Sequence, residues 1–272
     1  MSPAATLMEA LEPLRSDPLH SAVLLDIDGT LAPIVRHAED AHVPEATRTL
    51  LIEIAKRYAV VGCISGRRAS TARQIVAIGS IAYVGNHGGE LLAPGATSAI
   101  VAPELAQWTE RVQRFARSAY TQERMRLRIR MEDKGAIVAL HWRGVPDEDT
   151  AAAAVAELAR TAEQEGFAVH WGRKVLEVRP PVSFDKSVGI EQLLRLSAEG
   201  GGEPLSGAVY VGDDVTDLDA FRGLRELAAR TELKTVVCVA VSSEEAPPEL
   251  VERADLVVDG QSGVRGLLEA LI

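Results

Sequence analysis

The sequence predicts an α/β protein, a doubly wound parallel-sheet core of Rossmann-like type with a smaller α+β domain inserted into it. Three observations carry that expectation. Over residues 20–90, and again from residue 186 onward, short continuous apolar runs alternate with segments of helical spacing. That is the pattern of parallel strands buried on both faces by crossover helices. From about Val101 to Arg179 the order becomes helix, strand, strand, helix, strand, strand, which fits an antiparallel sheet covered by helices on one face. The apolar runs outside this insertion also end repeatedly in polar and acidic residues. We therefore expect a core of residues 1–100 and 180–272, and a cap of residues 101–179.

The first strand, Ala22-Val23-Leu24-Leu25, runs straight into Asp26-Ile27-Asp28-Gly29-Thr30. If the chain stays extended, alternate residues share a face, so Asp26 and Asp28 point the same way. Gly29 then permits a sharp turn. A D-x-D-G string can also open a calcium loop, but here no glutamate closes one, and the spacing excludes it. Pro44 to Arg57 has helical spacing with proline in its first turn. Ala59 to Ile64 is a strand followed at once by Ser65-Gly66-Arg67, residues 68–78 are helical, and Ala82-Tyr83-Val84 is closed by Gly85-Asn86-His87-Gly88-Gly89-Glu90.

Within the insertion, Pro103 to Tyr120 forms a helix with Leu105, Trp108, Val112 and Phe115 on one side. Strands are expected at Met125 to Glu132 and Ala136 to His141, a helix at Asp147 to Glu165, and strands at Phe167 to Trp171 and Val175 to Val178. Past Pro180-Pro181 the first pattern returns. Lys186 to Leu196 is helical, Gly200 to Gly202 is a loop, and the strand Ala208 to Val211 ends in Gly212-Asp213-Asp214. Helices at Thr216 to Ala229, Pro247 to Arg253 and Val264 to Leu271, with strands at Thr235 to Val241 and Leu256 to Val258, complete the chain.

With 272 residues, 47% hydrophobic and 25% charged, the chain can bury one large core or two unequal ones. Its apolar runs fall short of the roughly 18 residues of a membrane span. Met1 to Glu12 lacks the pattern of a secretory signal, so a cytoplasmic location is expected. Cys63 and Cys238 both lie in apolar runs, as buried free thiols do. A net charge of −10 argues against a nucleic-acid partner, and it requires local positive charge wherever an anionic substrate binds.

In a doubly wound sheet the carboxyl ends of the strands form the ligand crevice. Asp26, Asp28, Ser65, Lys186 and the run Asp213-Asp214-Val215-Thr216-Asp217 all fall at strand ends or at a helix start. Carboxylates gathered at one point repel, at about 4 kcal/mol per pair 4 Å apart with an effective dielectric near 20. A divalent cation relieves this, and an all-oxygen donor set suits Mg²⁺. Lys186 offers a fixed positive charge, and the Ser65 hydroxyl and nearby amides offer donors, as phosphoryl transfer requires. Asp214 and Asp217 also suit a helix N-terminus.

The four elements Asp26-Ile27-Asp28-Gly29-Thr30, Ser65-Gly66-Arg67, Lys186 and Gly212-Asp213-Asp214-Val215-Thr216-Asp217, with a cap inserted between the second and third, resemble the haloacid dehalogenase-like phosphatases. The resemblance implies Asp26 as a nucleophile that becomes an aspartyl-phosphate, and Asp28 as the acid and base. It implies Mg²⁺ held by Asp26, the Asp28 carbonyl and Asp213, with Asp214 or Asp217 in support.

The insertion offers Glu132-Asp133-Lys134, His141-Trp142-Arg143 and Lys174-Val175-Leu176-Glu177-Val178-Arg179. Alternation puts Glu132 with Lys134, and His141 with Arg143, on shared strand faces. Mixed donors and acceptors of this kind suit a polyhydroxylated ligand, although cross-strand ion pairs on a solvated sheet would look the same. Together with Asp28 to Pro33 and Gly-Asn-His-Gly at 85, these strings resemble the trehalose-6-phosphate phosphatases. That likeness implies a phosphorylated disaccharide bound by Glu132, Lys134, Arg143, Lys174 and Glu177, with Arg67, Asn86 and His87 lining the core side. Lys174 and Glu177 are three apart, so Lys174 is expected in the turn before the strand. The sequence departs from the family at Trp142, commonly tyrosine, at Leu218, commonly an acid, and at Ser187, commonly glycine; the first is expected to bear on the sugar pocket. Another phosphorylated disaccharide or pseudo-sugar, a mutase, or a phospho-accepting signalling domain are the competing expectations.

Overall fold

The computed structural model describes residues 3–35, 40–119, 121–182, 184–199, 204–243 and 246–272. The expected loop at Gly200 to Gly202, and Tyr120 at the end of the expected first cap helix, lie outside the described residues. In chain order the elements are α1 (Pro3–Ser16), β1 (Ser21–Leu25), α2 (Glu45–Arg57), β2 (Val60–Ile64), α3 (Ala69–Val76), β3 (Ala82–Gly85), β4 (Glu90–Leu92) and β5 (Ile100–Val101). There follow α4 (Pro103–Ala106), α5 (Thr109–Ala119), α6 (Gln122–Arg126), β6 (Arg130–Asp133), β7 (Val138–His141), α7 (Glu148–Gln164), β8 (Ala168–Gly172) and β9 (Val175–Arg179). The chain closes with α8 (Lys186–Glu199), β10 (Gly207–Gly212), α9 (Asp217–Ala229), β11 (Thr235–Ser242), α10 (Pro248–Arg253), β12 (Leu256–Asp259) and α11 (Gly260–Leu271). Two compact units result, Met1–Ile100 with Phe184–Ile272, and Val101–Ser183. No helix among the described residues is long and apolar enough to cross a membrane.

The first unit is built on an eight-stranded sheet of order β12-β11-β10-β1-β2-β3-β4-β5. From β12 to β3 every pairing is parallel, and β4 joins antiparallel. Alternate residues of the central strands feed two cores. Val23, Leu25, Val61, Val209, Val211 and Val239 pack with Leu11, Leu14, Leu51, Ile54, Leu267 and Leu268 of the helices on one face. Ala22, Leu24, Ile64, Val84, Tyr210 and Ala240 pack with Ile190, Leu193, Phe221, Leu224 and Leu250 on the other. This two-sided burial is why the strands read as continuous apolar runs. From β1 the chain proceeds outward through β2 and β3 on one side, and through β10, β11 and β12 on the other. The switch point therefore lies between β1 and β10, where open α/β sheets bind ligands.

The second unit is an antiparallel sheet of order β6-β7-β9-β8. Val138, Leu140, Leu176 and Val178 face Val112 and Phe115 of α5 and Val155 and Leu158 of α7. The register Glu132↔Ala139, Ala139↔Glu177 and His170↔Glu177 puts charged and polar side chains on the opposite face.

Three local expectations fail for identifiable reasons. The first cap helix is two helices, broken between α4 and α5. The strand expected from Met125 begins only at Arg130, because Met125 lies in α6 and Arg128 (φ 56°) makes the turn into β6. The spacing of Met125, Leu127 and Ile129 imitates strand alternation, while Thr121, whose side chain accepts a hydrogen bond from the Arg124 amide, caps a short helix instead. Pro44 is the N-cap of α2 rather than a first-turn residue. Helix α1 and the short strands β4 and β5 were not evident from the sequence pattern.

Candidate active site

The strand β1 stops at Leu25, and the backbone turns immediately. The Asp26 amide donates to Val211 of β10 at 2.9 Å, and the Ile27 carbonyl accepts from Leu31 and Ala32 at 2.9 and 2.8 Å. Gly29 has φ +90°. A Cβ at that position would fall 1.9 Å from Asp213 Oδ2, so only glycine lets this turn pass the second acidic loop. Asp26 and Asp28, expected on one face, have different partners. Asp26 Oδ1 accepts from Lys186 Nζ at 2.6 Å, whereas both oxygens of Asp28 are gripped by Arg67 Nε and Nη2, each at 2.7 Å.

Lys186, the first residue of α8, is 2% exposed. Its ammonium also reaches Asp217 Oδ1 at 2.6 Å. Asp217 is fully buried and accepts two further bonds, from the Tyr210 hydroxyl at 2.5 Å on Oδ1 and from the Asp214 amide at 2.9 Å on Oδ2. Asp213 accepts from Thr30 Oγ1 at 2.9 Å. One oxygen from each of Asp26, Asp213 and Asp217 lies within 4.8 Å of the others. Asp214 is exposed, and its carboxylate turns back to the Val215 amide.

Burial pushes Asp26 well above the usual carboxylate range; Asp217 and Asp213 push it further, against the pull of Lys186. Burial, then Asp217, raises Asp213 to about 7. For Lys186 burial works against the charge, but Asp217 and Asp26 outweigh it and hold the ammonium above its ordinary value. Three carboxylates face one ammonium, and the surplus negative charge is what a proton or a divalent cation neutralises.

A second set lies beyond β2 and β3. The Ser65 amide donates to Val84, the His87 amide to the Ser65 carbonyl, and the Asn86 amide to the Arg67 carbonyl, at 2.9, 3.1 and 2.7 Å. Asn86 and His87 both have positive φ, 49° and 55°. The absent Cβ of Gly66 makes room for the His87 ring, which would otherwise lie 2.6 Å away. Glu90, not singled out from the sequence, is buried and joins these loops, accepting from Asn86 Nδ2 and from the Ala69 amide at the start of α3, both at 2.9 Å. Its signal was its place four residues after Asn86 at the head of an apolar run.

In the second unit, Lys134 Nζ and Glu177 Oε1 form a buried ion pair at 2.7 Å, and Arg179 Nε donates to Glu177 Oε2 at 2.8 Å. His141 Nε2 meets Glu132 Oε2 at 3.0 Å. Lys174 (φ 61°) sits in the turn between β8 and β9, as expected, and is paired with Glu148. Arg143 lies past the end of β7 and donates to the Arg173 carbonyl at 3.2 Å; it does not share a strand face with His141. Trp142 does not belong to the polar face either. It is buried in the helix-covered core with its ring edge-on to Trp171, 6.1 Å between centroids. Arg179 stands in its sequence string without a role of its own, and Glu148 went unrecognised as a residue of a helix first turn.

The family model for trehalose-phosphatases matches residues 24–250. The chain belongs to the trehalose-phosphatase family. A trehalose-phosphate phosphatase of Mycobacterium bovis is 34% identical over 211 residues, covering 74% of this chain and 50% of that protein. A Mycobacterium tuberculosis protein named as an uncharacterised glycosyl hydrolase is 35% identical over 217 residues, 75% of this chain and 15% of its own length. The chain thus spans half or less of these curated relatives. In fold it is similar to the C-terminal domain of a C. albicans trehalose-6-phosphate phosphatase, with a TM-score of 0.73 at 20% identity, covering 98% of this chain and 96% of that one.

The raised Asp213 carboxyl makes metal-free stability depend on pH. Its value of about 7 in the folded protein lies above that of an ordinary aspartate, so the folded state binds the proton more tightly. The stabilisation is complete below about pH 4 and is lost as pH rises through 7. Urea unfolding in EDTA is expected to show midpoints falling between pH 5 and 8, with a shallower fall in Asp213→Asn.

Proposed function

We propose that this chain hydrolyses trehalose 6-phosphate to trehalose and inorganic phosphate in a Mg²⁺-dependent reaction through an aspartyl-phosphate. The observation that carries the reading is the Lys186 ammonium shared by Asp26 and Asp217 beside Asp213, at the sheet's switch point, in a chain of the trehalose-phosphatase family. With Oδ1 of Asp26 held by Lys186, Oδ2 is the attacking oxygen. A new P–O bond forms to Asp26 as the bond to the sugar oxygen breaks, and Asp28 gives that oxygen its proton. Water then attacks phosphorus, Asp28 takes its proton, and the Asp26 carboxylate leaves as phosphate is released.

The all-oxygen donor set and the surplus negative charge fit Mg²⁺, which Asp26, Asp213 and the Asp28 carbonyl would hold, supported by Asp214 or Asp217. Bound there, it supplies positive charge to the phosphoryl oxygens. The Ser65 hydroxyl accepts from the Arg67 amide at 3.2 Å and so keeps its own proton to donate to a phosphoryl oxygen.

In this reading residues 1–100 and 180–272 act as the catalytic core and residues 101–179 as the cap that selects the leaving group. Glu132, Lys134, Arg143, Lys174 and Glu177 bind the disaccharide hydroxyls. Pairing supports this role, because Lys134 with Glu177 and Lys174 with Glu148 are held in fixed orientations while each carboxylate keeps lone pairs for a sugar. On the core side we assign Arg67 and His87 to the substrate, while Asn86 donates its amide to Glu90, which assigns it to shaping the loop. Two buried free thiols suit the cytoplasm, where we place the reaction.

Phosphate release measured across a panel of sugar phosphates is expected to favour trehalose 6-phosphate and to stop on chelation. Asp26→Asn is expected to lower kcat by at least about 10³-fold, and retention of full activity in that variant defeats the reading. Lys134→Gln is expected to raise KM for trehalose 6-phosphate about tenfold, the cost of a charged hydrogen bond, and to leave p-nitrophenyl phosphate hydrolysis within twofold. A parallel loss on both substrates would remove Lys134 from sugar selection.

A further inference from the structure

The three clustered carboxylates are not equivalent, and the group that differentiates them is a tyrosine. Asp26 and Asp213 each accept one bond from a neighbouring side chain, Lys186 and Thr30 respectively. Asp217 accepts three, with Lys186 and Tyr210 both on Oδ1 and the Asp214 amide on Oδ2. Tyr210 lies on β10, fully buried, with its ring edge-on to Phe221 at 6.1 Å. Burial first, then Asp217 and Asp26, hold its phenol proton well above the ordinary range, so it remains a donor.

We propose that the Tyr210 hydroxyl is a positioning group that holds Asp217 on the lysine and off the cation, leaving Asp26 and Asp213 as the carboxylate ligands and Lys186 shared between Asp217 and Asp26. This rests on the phosphatase reading above. An oxygen that accepts two hydrogen bonds has its charge spread over both donors. Without the hydroxyl, Oδ1 of Asp217 has Lys186 as its remaining side-chain donor, and the ammonium is drawn away from Asp26. The lone pair so vacated belongs to a carboxylate that offers one oxygen to the 4.8 Å group, and it becomes available to a cation. Two effects of opposite sign follow: weaker activation of Asp26, and tighter metal binding.

Tyr210→Phe removes one oxygen and keeps the ring against Phe221, so it isolates the hydroxyl. Steady-state phosphate release from trehalose 6-phosphate at saturating Mg²⁺ is expected to show kcat about tenfold lower with KM within twofold, the pattern of a group acting only on the reacting atoms. Calorimetric titration of the EDTA-stripped protein with Mg²⁺ is expected to show affinity at least about threefold tighter than wild type, returning to the wild-type level when Asp217→Asn is added. A fall in kcat and metal affinity together marks a general structural lesion and overturns the proposal, as does an unchanged kcat or unchanged metal affinity. Wild-type protein without turnover on any sugar phosphate would defeat the phosphatase reading instead. The metal titration would then decide the role of Tyr210 alone, with tighter binding in Tyr210→Phe supporting it and equal or weaker binding overturning it.

Discussion

A single buried ammonium holds the acidic site together. Lys186 lies 160 residues beyond Asp26 and 31 before Asp217, and its position is set by how closely α8 can approach the turn at residues 86–88. A Cβ on Gly88 would meet the Asp185 carbonyl at 2.6 Å, and one on Gly189 would lie 2.4 Å from Val84 Cγ1 and 2.9 Å from Gly88 Cα. These two glycines admit the helix end. Asp185 then caps it, accepting from the Ser187 and Val188 amides at 2.9 and 3.2 Å while Arg222 braces the other carboxylate oxygen at 2.7 Å. A lysine fully withdrawn from water keeps its charge only because two carboxylates meet it. Removing either acid leaves the ammonium with a single carboxylate partner.

How much of this was legible in the sequence depends on the range over which each feature is decided. Strand ends followed by Asp26, Ser65 and Asp213 are local patterns, and the rule for ligand crevices in open sheets brings them to one edge without knowledge of contacts. Lys186 was visible because it opens the first helix after the fourth strand of the insertion. Tyr210 was not, since within Ala208-Val209-Tyr210-Val211 it is one more bulky residue in a buried strand and only its partner gives the hydroxyl meaning. Glu90 was hidden in the same way. The alternation of Met125, Leu127 and Ile129 misled because a capped five-residue helix and a strand can share it.

The polar face of the second unit shows a related limit. Leu176 and Val178 belong to the core while Glu177 between them pairs with Lys134; the alternation read for His141 and Arg143 assumed that strands continue as far as the polar pattern does. Strand β7 ends at His141, so Arg143 is placed by the turn that follows and by its bond to the Arg173 carbonyl. Trp142 shows the converse. A substitution that looks, from sequence, like a change of sugar pocket is a packing residue, because its neighbour His141 occupies the polar side of the strand.

The grip of Arg67 on Asp28 constrains the proposed chemistry most closely. The guanidinium fork takes both carboxylate oxygens, and the backbone of Arg67 is itself fixed by the Asn86 amide and the Ser65 hydroxyl. A carboxyl group that serves as acid and then as base needs an oxygen facing the leaving group and later the water. Each oxygen of Asp28 keeps a second lone pair beside the guanidinium bond it accepts, so in the proposed chemistry the acid can act while Arg67 holds its orientation. Phosphoryl oxygens and sugar hydroxyls are acceptors that suit a guanidinium, so in the proposed reaction the side chain that orients Asp28 is also one that a phosphorylated sugar can engage. In that proposal Arg67 ties recognition of the substrate to the orientation of its acid.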